Sequence, residues 1–307
     1  MITKTEARLW TDGRYFIQAT AQLEGTTVEL MKMGEPGVPE MNAYIEEVLK
    51  EGETLGFDGR VVSVGEGEGY AAIAGKKNAK VNYQVDLIDE IWEDRPVLSE
   101  EPAFNLDVKY AGETVASKLA RIREEMKEAG TNVHVVSTLD DICWTLNIRG
   151  NDIDFFPLVL SYGIITMDSF ELYIDERKLD DKLKAKLAKD GVNLHPYNDI
   201  YEDVKKFDSD VVAMIDPGKL NYALFNNIPE NVKTVKKRNP AILMKAIKNP
   251  VEIENIRKAQ IKDSVAHVRF MKWLKENVGK MRITEMSASD KLDEFRAEMG
   301  KIYPSKL

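Results

Sequence analysis

The two halves of the chain carry the same landmarks in the same order, and this repetition constrains the fold more than any other feature. Each half has a short strand pattern that ends in Asp-x-Arg before a helical pattern, LWTDGRYFIQATAQL from residue 9 and LYIDERKLDDKLKAKL from residue 172. Downstream, TVEL at 27–30 matches GVNL at 191–194, and Asp58 matches Asp216. The matched positions lie 163, 164 and 158 residues apart. This nearly constant separation predicts a structural duplication.

Strand and helix patterns alternate along both copies, which predicts an α/β fold class with two related α/β domains and mixed sheets. We place the domains at residues 1–98 and 99–248, with the proline-containing stretch 94–112 as the linker between them. A clear helix is predicted at 113–129, because apolar residues recur on one face and Gly130 can cap its C-terminal end.

The copies differ at their start. Between Gly112 and Asp175 the second copy has room for a helix, a strand, another helix and another strand, whereas eleven residues precede Asp12. If the copies are equivalent, about fifty residues are missing from the front of the first domain. After Asn249 the pattern changes to two helices, at 251–276 and 284–299. We interpret residues 249–307 as the helical start of a truncated third domain.

Residues 137–162 are predicted to form a capped helix, a turn and an apolar strand. Thr138 and Asp141 have the spacing of a capping box. Cys143, the one cysteine, lies on the apolar side of this helix and is interpreted as a core residue rather than a nucleophile.

Two local predictions concern the first domain. Gly65, Gly67 and Gly69 alternate with glutamates that would repel phosphate, so they are assigned to a flexible acidic loop. A short helix is predicted at 87–92.

The balance of 43 basic and 52 acidic residues gives a net charge of −9, which disfavours a nucleic-acid partner. The basic run 236–238 is therefore interpreted as a solvated surface turn. No apolar run approaches the roughly 18 residues of a membrane helix. The chain lacks a signal peptide and cannot form an internal disulfide, so a cytoplasmic location is expected.

The residues carry no convincing active site. His134, His195 and His267 are far apart in sequence and follow no metal-binding spacing. No Ser-His-Asp order or GxSxG motif occurs. We therefore assign no catalytic residue, no metal ligand and no cofactor to this chain.

Several long segments resemble the cytosolic-type Xaa-Pro aminopeptidases of the creatinase/prolidase superfamily. They are ARLWTDGRYFIQA, TLGFDGRVVS, YAGETVASKLARIREEMKEAG, STLDDICWTLNIRGNDI, PLVLSY and IKNPVEIENIRKAQIKDSVAHVRFMKWL. The resemblance covers nearly the whole chain. It implies two creatinase-type N-terminal domains, followed by the start of a pita-bread catalytic domain at helix 251–276.

In that family the third domain holds a dinuclear metal site, usually manganese, and a bridging water attacks the bond before proline. The ligands would lie beyond residue 307. The resemblance therefore implies that a proline-containing peptide is a substrate only of the full-length enzyme. The N-terminal domains would shape the substrate cleft and the contacts of a homo-oligomer.

Arg14 and Arg149 are our candidates for cleft or interface contacts. The alternative is that each fixes a local turn through a carboxylate such as Asp12 or Asp152. The leading functional hypothesis is the non-catalytic portion of a Xaa-Pro aminopeptidase. A binding or regulatory module that associates with an intact homologue is the alternative, and an independent small-molecule binder is a third, weaker one. Whether the chain is itself an enzyme stays open.

Overall fold

The computed structural model describes residues 1–300. The chain divides into two compact units, Met1–Arg95 with Asn221–Phe225, and Pro96–Leu220 with the chain from Asn226 onward. The boundary at residue 249 stays a prediction, and residues 301–307 of the proposed third domain lie outside the described residues.

The strands are β1 Ala7–Thr11, β2 Val28–Lys32, β3 Thr54–Gly56, β4 Lys80–Asn82, β5 Phe104–Asn105, β6 Val133–Val136, β7 Ile148–Arg149, β8 Ser161–Thr166, β9 Phe170–Ile174, β10 Val192–His195, β11 Val212–Ile215 and β12 Lys233–Lys236. The helices are α1 Phe16–Leu23, α2 Met41–Val48, α3 Val64–Lys76, α4 Val108–Ala111, α5 Val115–Glu128, α6 Leu139–Leu146, α7 Asp181–Lys189, α8 Ile200–Asp203, α9 Tyr222–Asn226, α10 Pro240–Ala246, α11 Pro250–Asn277 and α12 Glu285–Glu298.

The second unit is built on a mixed six-stranded sheet in the order β10-β9-β8-β6-β11-β12. β8 is antiparallel to both neighbours, and the other neighbouring pairs are parallel. All four residues of β6 are buried, as expected for a central strand covered on both faces. This confirms the mixed sheet predicted for the second domain.

Helix α5 packs on the core of this unit with the face that the sequence predicts. Val115, Leu119, Ile122 and Met126 are at most 2% exposed. Thr114 caps the first turn by accepting a hydrogen bond from the Ser117 amide, and Gly130 has a left-handed φ of 67° just after the helix. Each of the four buried side chains contributes roughly 1.5–3 kcal/mol of transfer free energy.

In the first unit, the strands of the described residues form two parallel pairs, β1 with β2 and β3 with β4. A small core lies between helices α2 and α3, where Ile45, Leu49, Tyr70 and Ile73 are buried. Residues 221–225 belong to this unit, and the Tyr222 ring packs near the rings of Phe57 and Tyr83.

The strand pairings of the two units correspond as the duplication predicts. The parallel pair β1–β2 matches β9–β10, and β3–β4 matches β11–β12. An antiparallel bridge between Ile2 and Ala7 corresponds to the pairing of Ile165 with Phe170, again 163 residues on. The second unit inserts β8 and β6 between its two parallel pairs, so its sheet is continuous.

The glycine-rich stretch is helical, which corrects the prediction of a flexible loop. Ser63 and Glu66 form a capping box at the start of α3, so a glutamate that was assigned to an acidic loop stabilises a helix. A Cβ on Gly67 would lie 2.2 Å from the Tyr222 ring. Close packing, rather than flexibility, therefore explains glycine at this position.

The predicted helix at 87–92 is also wrong, because these residues form turns. Asp86 accepts hydrogen bonds from the amides of Ile88 and Asp89, and both aspartates pair with Arg95 at 2.6 and 3.0 Å. The Asp86 side chain therefore caps a single turn, which does not continue into a helix.

The linker prediction for 94–112 fails over its second half. β5 pairs with β7, α4 follows, and Ala103, Leu106 and Ala111 are buried. The two prolines of this stretch lie before β5. They therefore indicated a linker only for the first part of the stretch and not for the whole of it.

The long helix α11 confirms the prediction for 251–276 and begins one residue earlier. Asn249 and Glu252 form a capping box, and the Asn249 side chain also donates to the Ala111 carbonyl at 2.8 Å. α12 packs along α11 and is capped by Thr284. No helix of residues 1–300 is long and apolar enough to cross a bilayer.

A buried lysine connects α5 to the end of α6. Lys118 is 1% exposed, and its Nζ donates to the Trp144 carbonyl and to Asn147 Oδ1, both at 2.7 Å. Asn147 ends α6 with a φ of 52°, and its side chain donates to the Glu113 carbonyl. Burial, together with the charge of Arg149, lowers the pKa of Lys118 to about 8.

Gly67 and Gly69 provide a matched pair of substitutions within α3. Gly67→Ala is expected to lower the free energy of unfolding by about 1–3 kcal/mol, because the methyl group meets the packed Tyr222 ring. Gly69 has open space around it, so Gly69→Ala should raise the free energy of unfolding by up to about 1 kcal/mol through helix propensity. Urea denaturation checks both values, and equal effects would contradict the packing account.

Lys118 should make the stability depend on alkaline pH. The folded pKa is about 8 and the ordinary value is 10.5, so between these values the unfolded chain binds more protons than the folded chain. The free energy of unfolding should therefore rise with pH across this window, by at most about 3 kcal/mol from this group. This contribution of Lys118 to the free energy of unfolding is lost as the pH falls from 10.5 through about 8.

The measurement is urea denaturation from pH 7 to pH 10.5, comparing the wild-type chain with two variants. Lys118→Met should remove this part of the pH dependence, and Lys127→Met, at an exposed lysine of the same helix, should retain it. An unchanged slope in Lys118→Met would contradict the assignment.

Candidate functional site

Arg14 lies in a tight turn directly after β1. Its Nε and Nη2 donate to Asp12 Oδ1 and Oδ2 at 2.9 and 2.8 Å, and its backbone amide donates to Oδ1 at 3.0 Å. Hydrogen bonds from Arg14 lower the pKa of the Asp12 carboxyl to about 2. The Arg14 side chain is 79% exposed, so it both fixes the turn and presents charge to the surface.

The second unit contains the same turn at the equivalent position. Arg177 donates from Nη2 to Asp175 Oδ2 at 2.6 Å and from its amide to Oδ1 at 3.0 Å. Its Nη1 also pairs with Glu100 at 2.6 Å. Both Arg177 and Asp175 line a cleft of about 700 Å³ outside the carboxyl ends of β9 and β10. In both units, the Asp-x-Arg motif therefore forms the turn that follows a strand.

The Arg149 side chain bonds to backbone carbonyls near the C-terminal end of α6. Its Nη1 donates to the carbonyls of Cys143 and Ile148, both at 2.8 Å. Asp152, the carboxylate considered for Arg149, pairs with Lys178, and a turn fixed by Arg149 and a carboxylate stays a prediction. Arg14 belongs to the first unit and Arg149 to the second.

The ion pair of Asp152 and Lys178 anchors the loop between β7 and β8. The two charged atoms lie 2.6 Å apart, and both side chains are at most 2% exposed. Asp152 Oδ2 also accepts a hydrogen bond from the Leu160 amide. The loop places Phe155 with a φ of 62° and an exposure of 99%. Because removal of one partner would leave a buried charge unpaired, loss of either Asp152 or Lys178 should be strongly destabilising.

Sequence reasoning missed Lys178 because no local pattern connects it to Asp152. The hairpin of β8 and β9 separates the two residues along the chain. A lysine just after the Asp175 turn has the appearance of a surface residue. Only the strand register places it beneath the loop.

Cys143 is a core residue, as the sequence predicts. Its side chain is 1% exposed, and the Val159 amide donates to Sγ at 3.4 Å. Burial raises the pKa of the thiol to about 11. The reactive thiolate form is therefore scarce at neutral pH.

The start of α6 differs from the predicted capping box. Thr138 Oγ1 donates to Asp141 Oδ2 at 2.6 Å, and no side-chain cap bonds the helix amides there. Asp140 and Asp141 both pair with Lys245, which also explains two adjacent carboxylates in one turn. Asn239 donates to Asp141 Oδ2 at 2.9 Å, so the cluster is closely bonded.

The histidines occupy separate environments. His134 is fully buried between the Met214 carbonyl and Asn239 Oδ1, and burial lowers its pKa. His195 Nε2 lies 2.6 Å from Glu171 and its ring stacks on Tyr173. Within residues 1–300, no group of three or more His, Cys, Asp or Glu side chains could hold a metal ion. No reaction step is therefore assigned to a metal held by these residues.

Models of known families match both halves of the chain. A creatinase/prolidase N-terminal domain model matches residues 1–91, and a second model of the same description matches residues 94–252. The two matched ranges correspond to the two copies of the duplication that the sequence predicts.

Curated relatives extend this similarity. Aminopeptidase P2 of Arabidopsis thaliana is 34% identical over 97% of this chain and 46% of its own length. Xaa-Pro aminopeptidase app-1 of Caenorhabditis elegans is 35% identical over 98% of this chain and 50% of its own length. The chain thus spans about half the length of the curated relatives it matches.

A solved structure agrees in fold. The X-prolyl aminopeptidase of Caenorhabditis elegans, described as a cytosolic enzyme with a di-nuclear active site, has a TM-score of 0.91 at 33% identity. The match covers 96% of this chain and 49% of that one. Similarity to Xaa-Pro aminopeptidases is thereby confirmed, and the chain belongs to the creatinase/prolidase N-terminal domain family.

Proposed function

We propose that this chain is the non-catalytic N-terminal portion of a Xaa-Pro aminopeptidase. In the full-length protein, a dinuclear metal centre, usually manganese, would release the N-terminal residue that precedes proline. The two α/β units would shape the substrate cleft and the subunit contacts.

The observation that carries this proposal is the extent of the similarity. It covers 97–98% of this chain but about half of each relative. Within residues 1–300, no group of three or more His, Cys, Asp or Glu side chains could hold a metal ion. The buried Cys143 likewise offers no nucleophile.

The test is an assay of the purified chain on Arg-Pro-Pro with added Mn²⁺. We expect no release of arginine above the buffer rate, because no group of three or more His, Cys, Asp or Glu side chains within residues 1–300 could hold the metal ions of the proposed reaction. The Caenorhabditis elegans enzyme serves as the positive control in the same buffer. Turnover that follows the pure chain and is abolished by EDTA would contradict the proposal.

A second candidate function is association with an intact homologue. Helix α11 supports it, because Ile261, Val265 and Val268 lie on one face and are 66%, 42% and 67% exposed. Contiguous exposed apolar residues are typical of surfaces that bind another polypeptide.

Size-exclusion chromatography of the chain mixed with a full-length relative tests this association. The chain should co-elute with the relative, and the double substitution Ile261→Lys, Val268→Lys should abolish co-elution. His267→Lys, at an exposed residue about 100° or more round the same helix from the three apolar residues, is the control and should still co-elute. Separate elution of the wild-type chain would count against this function.

Arg14 and Arg149 stay candidates for cleft or interface contacts, and stability measurements separate their structural roles. Arg149→Gln should lower the free energy of unfolding by about 1–3 kcal/mol, because buried carbonyls lose a charged donor. Arg14→Gln should change it by less than about 1 kcal/mol, since the pair is exposed. If Arg14 contacts a homologue, Arg14→Gln should also weaken co-elution. Equal losses of stability in the two variants would contradict the assigned environments.

A further inference from the structure

The sheet of the second unit has a topological switch point between β6 and β11. These strands are parallel neighbours, so their carboxyl ends meet at one edge of the sheet. From β6 the chain passes through α6 to β8 on one side, whereas from β11 it passes to β12 on the other side. In open α/β sheets, ligands bind in the crevice outside the carboxyl ends at such a point.

A crevice of about 490 Å³ lies at this position. This volume falls within the range of small-molecule sites, about 300–1,000 Å³. Its walls come from the start of α6, the residues after β11, the end of β12 and α10.

Basic side chains dominate the lining. Lys236, Lys237 and Arg238 follow one another at the end of β12, and Lys219 lies in the loop after β11. The Lys237 amide bonds to the Ile215 carbonyl, which extends the strand pairing up to this run. The strand ladder therefore fixes the start of a segment that the sequence indicated to be a solvated turn.

The three carboxylates that share the crevice are already bonded within the protein. Asp140 and Asp141 both pair with Lys245. Asp216 accepts hydrogen bonds from the amides of Gly218 and Asn239, at 3.1 and 3.0 Å. Asp140 and Asp141 occupy the first turn of α6, so their carboxylates offset the partial positive charge of the helix N-terminus. The positive charge of the crevice therefore comes from its basic side chains.

We propose that this crevice binds a small phosphate monoester through Arg238 and Lys219. Arg238 lines the crevice and is exposed, and a guanidinium can bond two phosphate oxygens at once. Lys219 also lines the crevice, is exposed and adds a second charge. Lys237 is partly neutralised by Glu125 at 3.1 Å, so it contributes less. The volume leaves room for an organic group beside the phosphate.

This proposal is independent of peptide hydrolysis, because none of these residues is assigned to the peptidase reaction. Isothermal titration calorimetry of the whole chain with inorganic phosphate and with ribose 5-phosphate tests it, and ribose is the uncharged comparison. We expect saturable binding of both phosphate compounds, none of ribose, and weaker binding at high salt.

Two arginine variants locate the site. Arg238→Gln should weaken phosphate binding by roughly tenfold, the loss of one charge-assisted contact. Arg282→Gln removes an exposed arginine elsewhere and should bind like the wild type. Amide chemical shifts should move at residues 137–141, 216–219 and 236–239. Absence of saturable phosphate binding, or equal affinity in Arg238→Gln and the wild type, would overturn the proposal.

Discussion

The burial of β6 is the constraint on which the second unit depends. Every residue of this strand is buried, so its backbone amides and carbonyls must pair with β8 and β11 rather than with water. These pairings set the order of the sheet. They also place the carboxyl ends of β6 and β11 side by side, and thereby create the crevice at the switch point. Helix α5 and the bonds of Lys118 then hold α6 against the same core.

The duplication explains much of the remaining architecture. The same parallel pairings recur in both units, and an Asp-x-Arg turn with a paired guanidinium follows the equivalent strand in each. In the turn of the second unit, Arg177 also reaches Glu100. Arg14 shows no comparable ion pair beyond Asp12 among the residues described. The two copies thus share the Asp-x-Arg turn, and they differ in which other residues the arginine of that turn contacts.

The sequence could predict elements whose signals are local. Helices α5 and α11 have periodic apolar faces and recognisable caps, and both lie where expected. The glycine-rich helix α3 was missed because Gly67 is required by the ring of Tyr222, which is distant in sequence. Lys178 was missed for the same reason, since strand register brings it to Asp152. The pairing of Arg14 with Asp12 was predicted as the alternative role of this arginine, because the two residues are close in sequence.

We propose that this chain supports a Xaa-Pro aminopeptidase without holding its metal centre within residues 1–300. Titration of the purified chain with Mn²⁺ by isothermal calorimetry tests this claim most directly. The account predicts no stoichiometric binding at micromolar concentration, because no cluster of three or more metal-binding side chains exists within residues 1–300. Tight binding of one or two Mn²⁺ ions per chain would contradict it.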